Sequence, residues 1–325
     1  MIISQTYERY WRNNVLIEVV IPTYNRIDNL AFLIEHLLKS NNSNFCISII
    51  NNDPNNNLPT EYIESKNINK IPIRIFNNNF HLGPDASVLR ALEIAESDWI
   101  YLLGDSKIPT DDVFDIMVKD INKYPDVASI VYKFKNLNPK HRTISNIKEI
   151  STNDLHWGDF FLGGNSILSA KSVKSYFSIA TQFTLTRSML LIFHILALRD
   201  GKKVLIAEDK IIKRFIEKPV FYNPGLSLIE CWAQFPLLVN LPINNNEKIL
   251  LINKIINGED LEDKIIFYKF CLIKIFRENI DLSLSLKFIL AYRYSLNIIS
   301  FEKIIITFLY YISKINYIIR GNRYG

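Results

Sequence analysis

The chain has 325 residues, 48% of them hydrophobic and 22% charged, with a formal net charge of +5. This balance excludes a disordered polyelectrolyte, and the length allows a large core. Three cysteines, Cys46, Cys231 and Cys271, stand far apart and form no CxxC pair, so neither a disulfide framework nor a Cys-rich metal site is expected.

The first nine residues contain no apolar h-region, so a cytoplasmic protein is expected. No stretch reaches the ~18 uninterrupted apolar residues of a spanning helix. Residues 261–325 carry ten Lys/Arg against five Asp/Glu, which equals the whole net charge. That segment is also rich in Tyr, Phe and Ile, a composition suited to peripheral contact with the inner face of an anionic membrane. No nucleic-acid motif accompanies it, so nucleic acid is not an expected partner.

Residues 15–22 read as a buried strand. An amphipathic helix over 28–38 follows, with Asp28 as its N-cap. Residues 45–50 form a second strand that ends on Asn51-Asn52-Asp53-Pro54. A short helix leads to a third strand at 71–76, where Pro72 marks a strand start or a sheet edge. Gly83-Pro84-Asp85 opens a helix to about residue 95, with Asp85 most simply its N-cap. Residues 98–103 are the fourth strand, an apolar run that stops on Gly104-Asp105. Thr110 is expected to cap the next helix, with Asp111 and Asp112 in its first turn. A strand at 127–132 comes next, then an irregular stretch at 135–157. Gly163-Gly164 turns into a short strand ending near 169. Residues 186–198 read as a helix with His194 in its core, 201–209 as a turn and edge strand, and the chain from about 244 as helical. Alternating strands and helices imply a mostly parallel sheet with right-handed crossovers. In such a sheet, ligands bind beyond the carboxyl ends of the strands, and here those ends carry Asn, Asp or Gly.

Four of these strand ends, in order, carry a resemblance. Ile21-Pro22-Thr23-Tyr24-Asn25-Arg26, Ile49-Ile50-Asn51-Asn52-Asp53-Pro54, Asn78-Asn79-Phe80-His81-Leu82-Gly83 and Leu102-Leu103-Gly104-Asp105-Ser106-Lys107 resemble the motifs of family-2 glycosyltransferases of the GT-A fold, in particular the bacterial surface-polysaccharide type. The resemblance is good over 15–115, looser over 116–240, and does not reach the tail. It implies an α/β, Rossmann-like GT-A domain over residues 1–240; the pattern and composition of 241–325 read separately as a helical, basic and aromatic region. The resemblance also implies inverting transfer of a sugar from a nucleoside-diphosphate donor to a hydroxyl of a glycan or lipid-linked acceptor, as in capsule or lipopolysaccharide O-antigen synthesis.

The resemblance assigns roles by position. Tyr24 stacks on the donor base, and the backbone at Pro22 and Thr23 lines its pocket. Asn51 stands where relatives often have an Asp that reads the base edge, Asp53 is a neighbouring candidate, and Asp85 lies near the donor. Asp105 reaches the ribose and a divalent Mg2+ or Mn2+ ion. Lys107 departs from the pattern, because it replaces the second acid of a DxD motif and a cation cannot ligate metal. Two outcomes stay open: a metal held through Asp105, phosphates and water, or a Lys107 ammonium that stabilises the diphosphate itself. Two groupings are candidates for the catalytic base: Glu208-Asp209, and the cluster of Asp154, His156 and Asp159 around Trp157. A nucleotidyltransferase is the rival enzyme, though the chain lacks that class's Gly-rich basic loop after the first strand. An inactive relative that binds nucleotide sugar or glycan is the non-enzymatic alternative.

Overall fold

The computed structural model describes residues 15–56, 58, 60–133, 140–151, 155, 158–161, 163–184, 189–216, 241–248, 250–251, 308, 311 and 315. The chain divides into two compact units, one of residues 1–149 with 154–219 and the other of 150–153 with 220–325. The expected boundary near 240 and most of the basic tail, with Trp232, Cys231 and Cys271, lie outside the described residues. Among the described residues, no helix is long and apolar enough to cross a membrane.

The first unit is built on a sheet whose leading strands are β1 (Ile17–Thr23), β2 (Phe45–Asn51), β3 (Ile73–Asn77) and β4 (Trp99–Leu102). A short β5 (Lys107–Pro109) leaves the sheet, and β6 (Ser129–Tyr132), β7 (Arg142–Ile144), β8 (Ser166–Ser169) and β9 (Val204–Ala207) complete it. The strand order is β3-β2-β1-β4-β8-β6-β9-β7. β1 runs parallel to β2 and β4, and β2 runs parallel to β3. β8 is antiparallel to both β4 and β6, so β6 and its parallel neighbour β9 point the same way as β4. The carboxyl ends of β1, β2, β3, β4, β6 and β9 therefore share one edge. β10 (Ile212–Phe215) pairs antiparallel with β5 in a separate two-stranded sheet.

The buried runs of β1, β2 and β4 explain this placement, because strands covered on both faces lose their polar alternation. Ile17, Val19 and Ile21 face a core shared with Leu30, Leu33 and Leu37 of α1 (Ile27–Leu37) and with Phe114 and Met117 of α4 (Val113–Lys123). Phe45 and Phe114 stack there at 3.7 Å between centroids. Helices α2 (Thr60–Lys66) and α3 (Pro84–Ile94) are the crossovers on either side of β3. Strand alternation puts Glu18 on the opposite face from Ile17, next to the end of α3. Glu18 is fully buried and accepts from Ser48 Oγ at 2.6 Å, from Arg74 at 2.5 Å and from the backbone N–H of Glu96 at 2.7 Å. This buried carboxylate is tolerated because it is both paired and hydrogen-bonded.

Pro72 immediately precedes β3, and β3 is an edge strand, so both expectations for that proline hold. Several expectations need correction. Residues 201–209 do not supply an edge strand, because β7, from a stretch expected to be irregular, adds outside β9. Arg26 occupies the N-cap position of α1, which places Asp28 in the first turn. Gly83, at φ 77, is the N-cap of α3 in place of Asp85, since its backbone conformation is one that a side chain disfavours. Asp112, rather than Thr110, holds that position on α4. The second sheet carried too little pattern to be expected from three- and four-residue segments.

Candidate active site

The first four strand ends are knitted together by backbone hydrogen bonds. Asn52 N–H donates to the Thr23 carbonyl at 2.8 Å, Asn78 N–H to Asn51 at 2.9 Å, and Leu103 N–H to Val20 at 3.0 Å. Beyond β1, Asn25 adopts φ 50, a left-handed conformation that Asn tolerates better than most residues. The chain reverses there. Tyr24 is left 48% exposed, and Arg26 returns over the end of β4.

Asp105 is the centre of this cluster. One carboxylate oxygen accepts from Thr23 Oγ1 at 3.0 Å, and the other from Arg26 NH1 at 2.9 Å. Its side chain is 7% exposed and that of Arg26 is 23% exposed. The carboxylate expected at the β4 end is thus tied to the β1 end through Thr23 and Arg26, one residue before and two residues after Tyr24. Tyr24 also meets His81, with ring centroids 4.2 Å apart and planes tilted by 46°. Phe80 and Leu82 are exposed on the same loop.

Asn51 and Asp53 are buried, and their polar atoms organise the β2 loop. Asn51 Nδ2 donates to the Asn56 carbonyl at 2.7 Å and to Asn77 Oδ1 at 3.1 Å, while its Oδ1 accepts from Asp53 N–H at 3.1 Å. Asp53 accepts from Asn55 N–H at 3.1 Å and from Asn56 Nδ2 at 2.7 Å. Asn52 performs a linking role that the sequence did not announce. Its Oδ1 accepts from Asn78 Nδ2 at 3.1 Å and from Leu82 N–H at 2.9 Å, tying the His81 loop to the β2 end. Pro22 lies within β1 beside Thr23. Asp85 is buried in the first turn of α3.

Lys107 is buried, and its ammonium donates to the Gly163 carbonyl. The turn that receives it is shaped for the lysine. Gly164 has φ 96, and a Cβ there would come within 3.0 Å of Lys107 Cδ. Gly164 N–H also donates to Leu102 at 2.7 Å, fixing the turn against the end of β4. Lys107 is therefore a fixed positive charge beside Asp105 in the chain, not a solvated loop residue.

Glu208 and Asp209 follow β9 at the shared strand edge, with Glu208 exposed and Asp209 half-buried. The Asp209 carbonyl accepts from Lys133 N–H at 3.1 Å, which joins the ends of β6 and β9. Beneath them, buried Asp120 and the Tyr132 hydroxyl face each other without a well-aligned hydrogen bond. Burial first, and the Asp209 charge second, push the Asp120 carboxyl above its ordinary range. Of the rival cluster, Asp154, His156 and Trp157 lie outside the described residues, while Asp159 is buried at the start of a short helix, residues Gly158–Phe161. His194, in the helix Met189–Arg199, is a core residue as expected. Its Nδ1 lies 2.8 Å from Ser129 Oγ, and burial lowers its pKa to about 3.

The residues at Asp105 do not fit a divalent cation held by side chains. The Arg26 guanidinium already sits at Asp105 Oδ1, the second acid is a lysine, and no group of three His, Cys, Asp or Glu side chains converges among the described residues. Arg26 was missed as a site residue. Its presence in the first motif was visible, but its reach to a residue 79 positions away follows only from the pairing of β1 with β4.

Part of the sequence and the fold as a whole match known proteins. Residues 18–177 match the model of "Glycosyl transferase family 2". No curated protein sequence matches the chain. Among solved structures, S. aureus TarS residues 1–349 superposes with a TM-score of 0.61 at 14% identity, covering 93% of this chain and 89% of that one. The same protein in complex with UDP-GlcNAc gives 0.60 at 15% identity over the same shares. The mannosyltransferase PcManGT from Pyrobaculum calidifontis, in complex with GDP-Man and Mn2+, gives 0.57 at 9% identity, covering 95% and 92%. With its mostly parallel α/β sheet this chain has the GT-A fold, and its residues 18–177 are a glycosyl transferase family 2 domain.

Proposed function

We propose that the protein transfers a sugar, with inversion, from a nucleoside-diphosphate donor to a hydroxyl of a bacterial surface glycan, of the capsule or O-antigen kind. The observation that carries this reading is the Asp105 carboxylate held by Thr23 and Arg26 on either side of exposed Tyr24, at the strand edge of a family-2 domain. Tyr24 is half exposed and offers a ring face to a base, with His81 packed over part of the ring at 4.2 Å between centroids. Asp105 accepts from the ribose hydroxyls, and Asn51, Asn52 and Asp53 keep the base pocket in shape.

Transfer is a direct displacement. A carboxylate of the Glu208-Asp209 pair takes the acceptor hydroxyl proton, and the oxygen attacks the anomeric carbon. The bond from that carbon to the diphosphate oxygen breaks, and the nucleoside diphosphate leaves with the bonding electrons. Glu208 and Asp209 suit this role by their place at the end of β9, on the same sheet edge as Asp105. The similar structures were solved with UDP-GlcNAc and with GDP-Man, which makes hexose donors the first to try. The basic segment 261–325 would bring a lipid-linked acceptor within reach at the inner face of the membrane.

The test is donor hydrolysis. Nucleotide sugars are incubated singly with the protein, and released nucleoside diphosphate is measured. Slow release from one donor, abolished by Asp105→Ala, is expected. Binding without release from any donor, with or without candidate acceptors, would mean a binding module instead.

A further inference from the structure

We infer that Arg26 is the cation for the donor diphosphate, so that donor binding needs no divalent metal. This rests on the nucleotide-sugar reading above and goes beyond it in naming the group that meets the phosphates. In place of a metal ion, a guanidinium bridges the β4 carboxylate and the leaving group.

Three observations lead there, two on the Arg26–Asp105 pair and one on Lys107. Arg26 lies 2.9 Å from Asp105 Oδ1, the position from which a carboxylate would reach a metal ion. Lys107 occupies the place of the second ligand and is pinned by its bond to the Gly163 carbonyl. A divalent ion approaching Asp105 would therefore meet a cation already seated and no second acid. Finally, Arg26 is the more open member of its pair, at 23% exposure against 7% for Asp105. Part of its side chain is thus open to solvent beside the carboxylate it holds.

The chain geometry aims that group. Arg26 stands between exposed Tyr24 and the first turn of the 11-residue helix α1, where no side chain makes a capping bond. A nucleotide whose base rests on Tyr24 and whose ribose meets Asp105 must run its phosphates past this point. A guanidinium has five N–H donors in a planar fork, so it can hold a carboxylate and a phosphate at once. The amides of the first helical turn add their partial positive charge. Lys107 contributes a stationary charge, and Arg26 supplies the contact.

The experiment is calorimetric titration of the full chain with UDP, GDP and dTDP, each in EDTA and in Mn2+. The wild-type protein is expected to bind one of them with affinities in the two buffers that agree within about twofold. Arg26→Gln is expected to weaken binding in EDTA by about tenfold or more, the scale of one charge-assisted hydrogen bond. Arg26→Lys should recover part of that loss. The double variant Arg26→Gln/Lys107→Asp, with its restored second acid, is expected to bind in Mn2+ and not in EDTA. Wild-type binding that requires Mn2+ overturns the inference and leaves the glycosyltransferase reading intact. Undiminished binding by folded Arg26→Gln in EDTA also overturns it. Failure of every nucleotide to bind in either buffer overturns both, and because the wild-type comparison needs no variant, misfolding cannot obscure the answer.

Discussion

Replacing Asp105 by Asn separates a structural role from a functional one. The amide has nearly the same shape as the carboxylate. Its oxygen can keep the 2.9 Å contact with Arg26, and its NH2 can face Thr23, whose hydroxyl reverses from donor to acceptor. What is lost is the negative charge. A hydrogen bond to a charged group is worth roughly 1.5–3 kcal/mol and a neutral one about 1. Arg26 is partly exposed, so solvent recovers some of the difference, and the expected loss of folding stability is about 1 kcal/mol. The cost to the reaction should be larger. If the carboxylate also accepts from the donor ribose, losing a charge-assisted bond lowers kcat/KM roughly 10- to 150-fold. Urea unfolding measures the first quantity and nucleoside-diphosphate release the second, on the same preparation. A variant that loses about 3 kcal/mol of stability yet turns over the donor within threefold of wild type would refute the reasoning.

Three further outcomes are expected. Tyr24→Ala should weaken donor binding by roughly 5- to 150-fold, the value of about 1–3 kcal/mol for one base-on-ring stack, with little change in unfolding midpoint because the ring is half exposed. Asp209→Asn and Glu208→Gln, compared side by side, should show one variant with kcat lowered roughly 10²- to 10⁴-fold and donor affinity unchanged, read by kinetics and calorimetry. His194 gives a pH signature. Its pKa is about 3 in the folded protein and 6.5 in the unfolded chain, so only the unfolded chain takes the proton between these values. Its contribution therefore makes stability fall with pH below 6.5, by up to about 1.4 kcal/mol per pH unit, until about pH 3. His194→Gln should flatten that slope in pH-resolved denaturation curves.

The parallel half of the fold was legible because its strands are long apolar runs with polar ends. β1, β2 and β4 are buried on both faces, and their ends carry the motif residues. The antiparallel additions were harder. β5, β7 and β10 have three or four residues each, and their pairing depends on where the chain returns, not on a local pattern. The same division holds in the site. Tyr24 and Asp105 could be read from their strand ends. The inward commitment of Asn51 and Asp53 could not, because Asn and Asp suit a loop scaffold and a ligand contact equally well. Arg26 and Lys107 show a further limit. Arg26 is an ordinary basic residue in the sequence and Lys107 is marked only by its place in the motif; the partner of each, Asp105 or Gly163, is brought near only by the sheet order.

A crystal structure of the protein with its best-binding nucleoside diphosphate tests the central claim most directly. The account predicts the base against the Tyr24 ring, a ribose hydroxyl within hydrogen-bonding distance of the Asp105 carboxylate, and the phosphates beside Arg26. A nucleotide bound away from the ends of β1 and β4, or one that leaves Asp105 facing only Thr23 and Arg26, would contradict it.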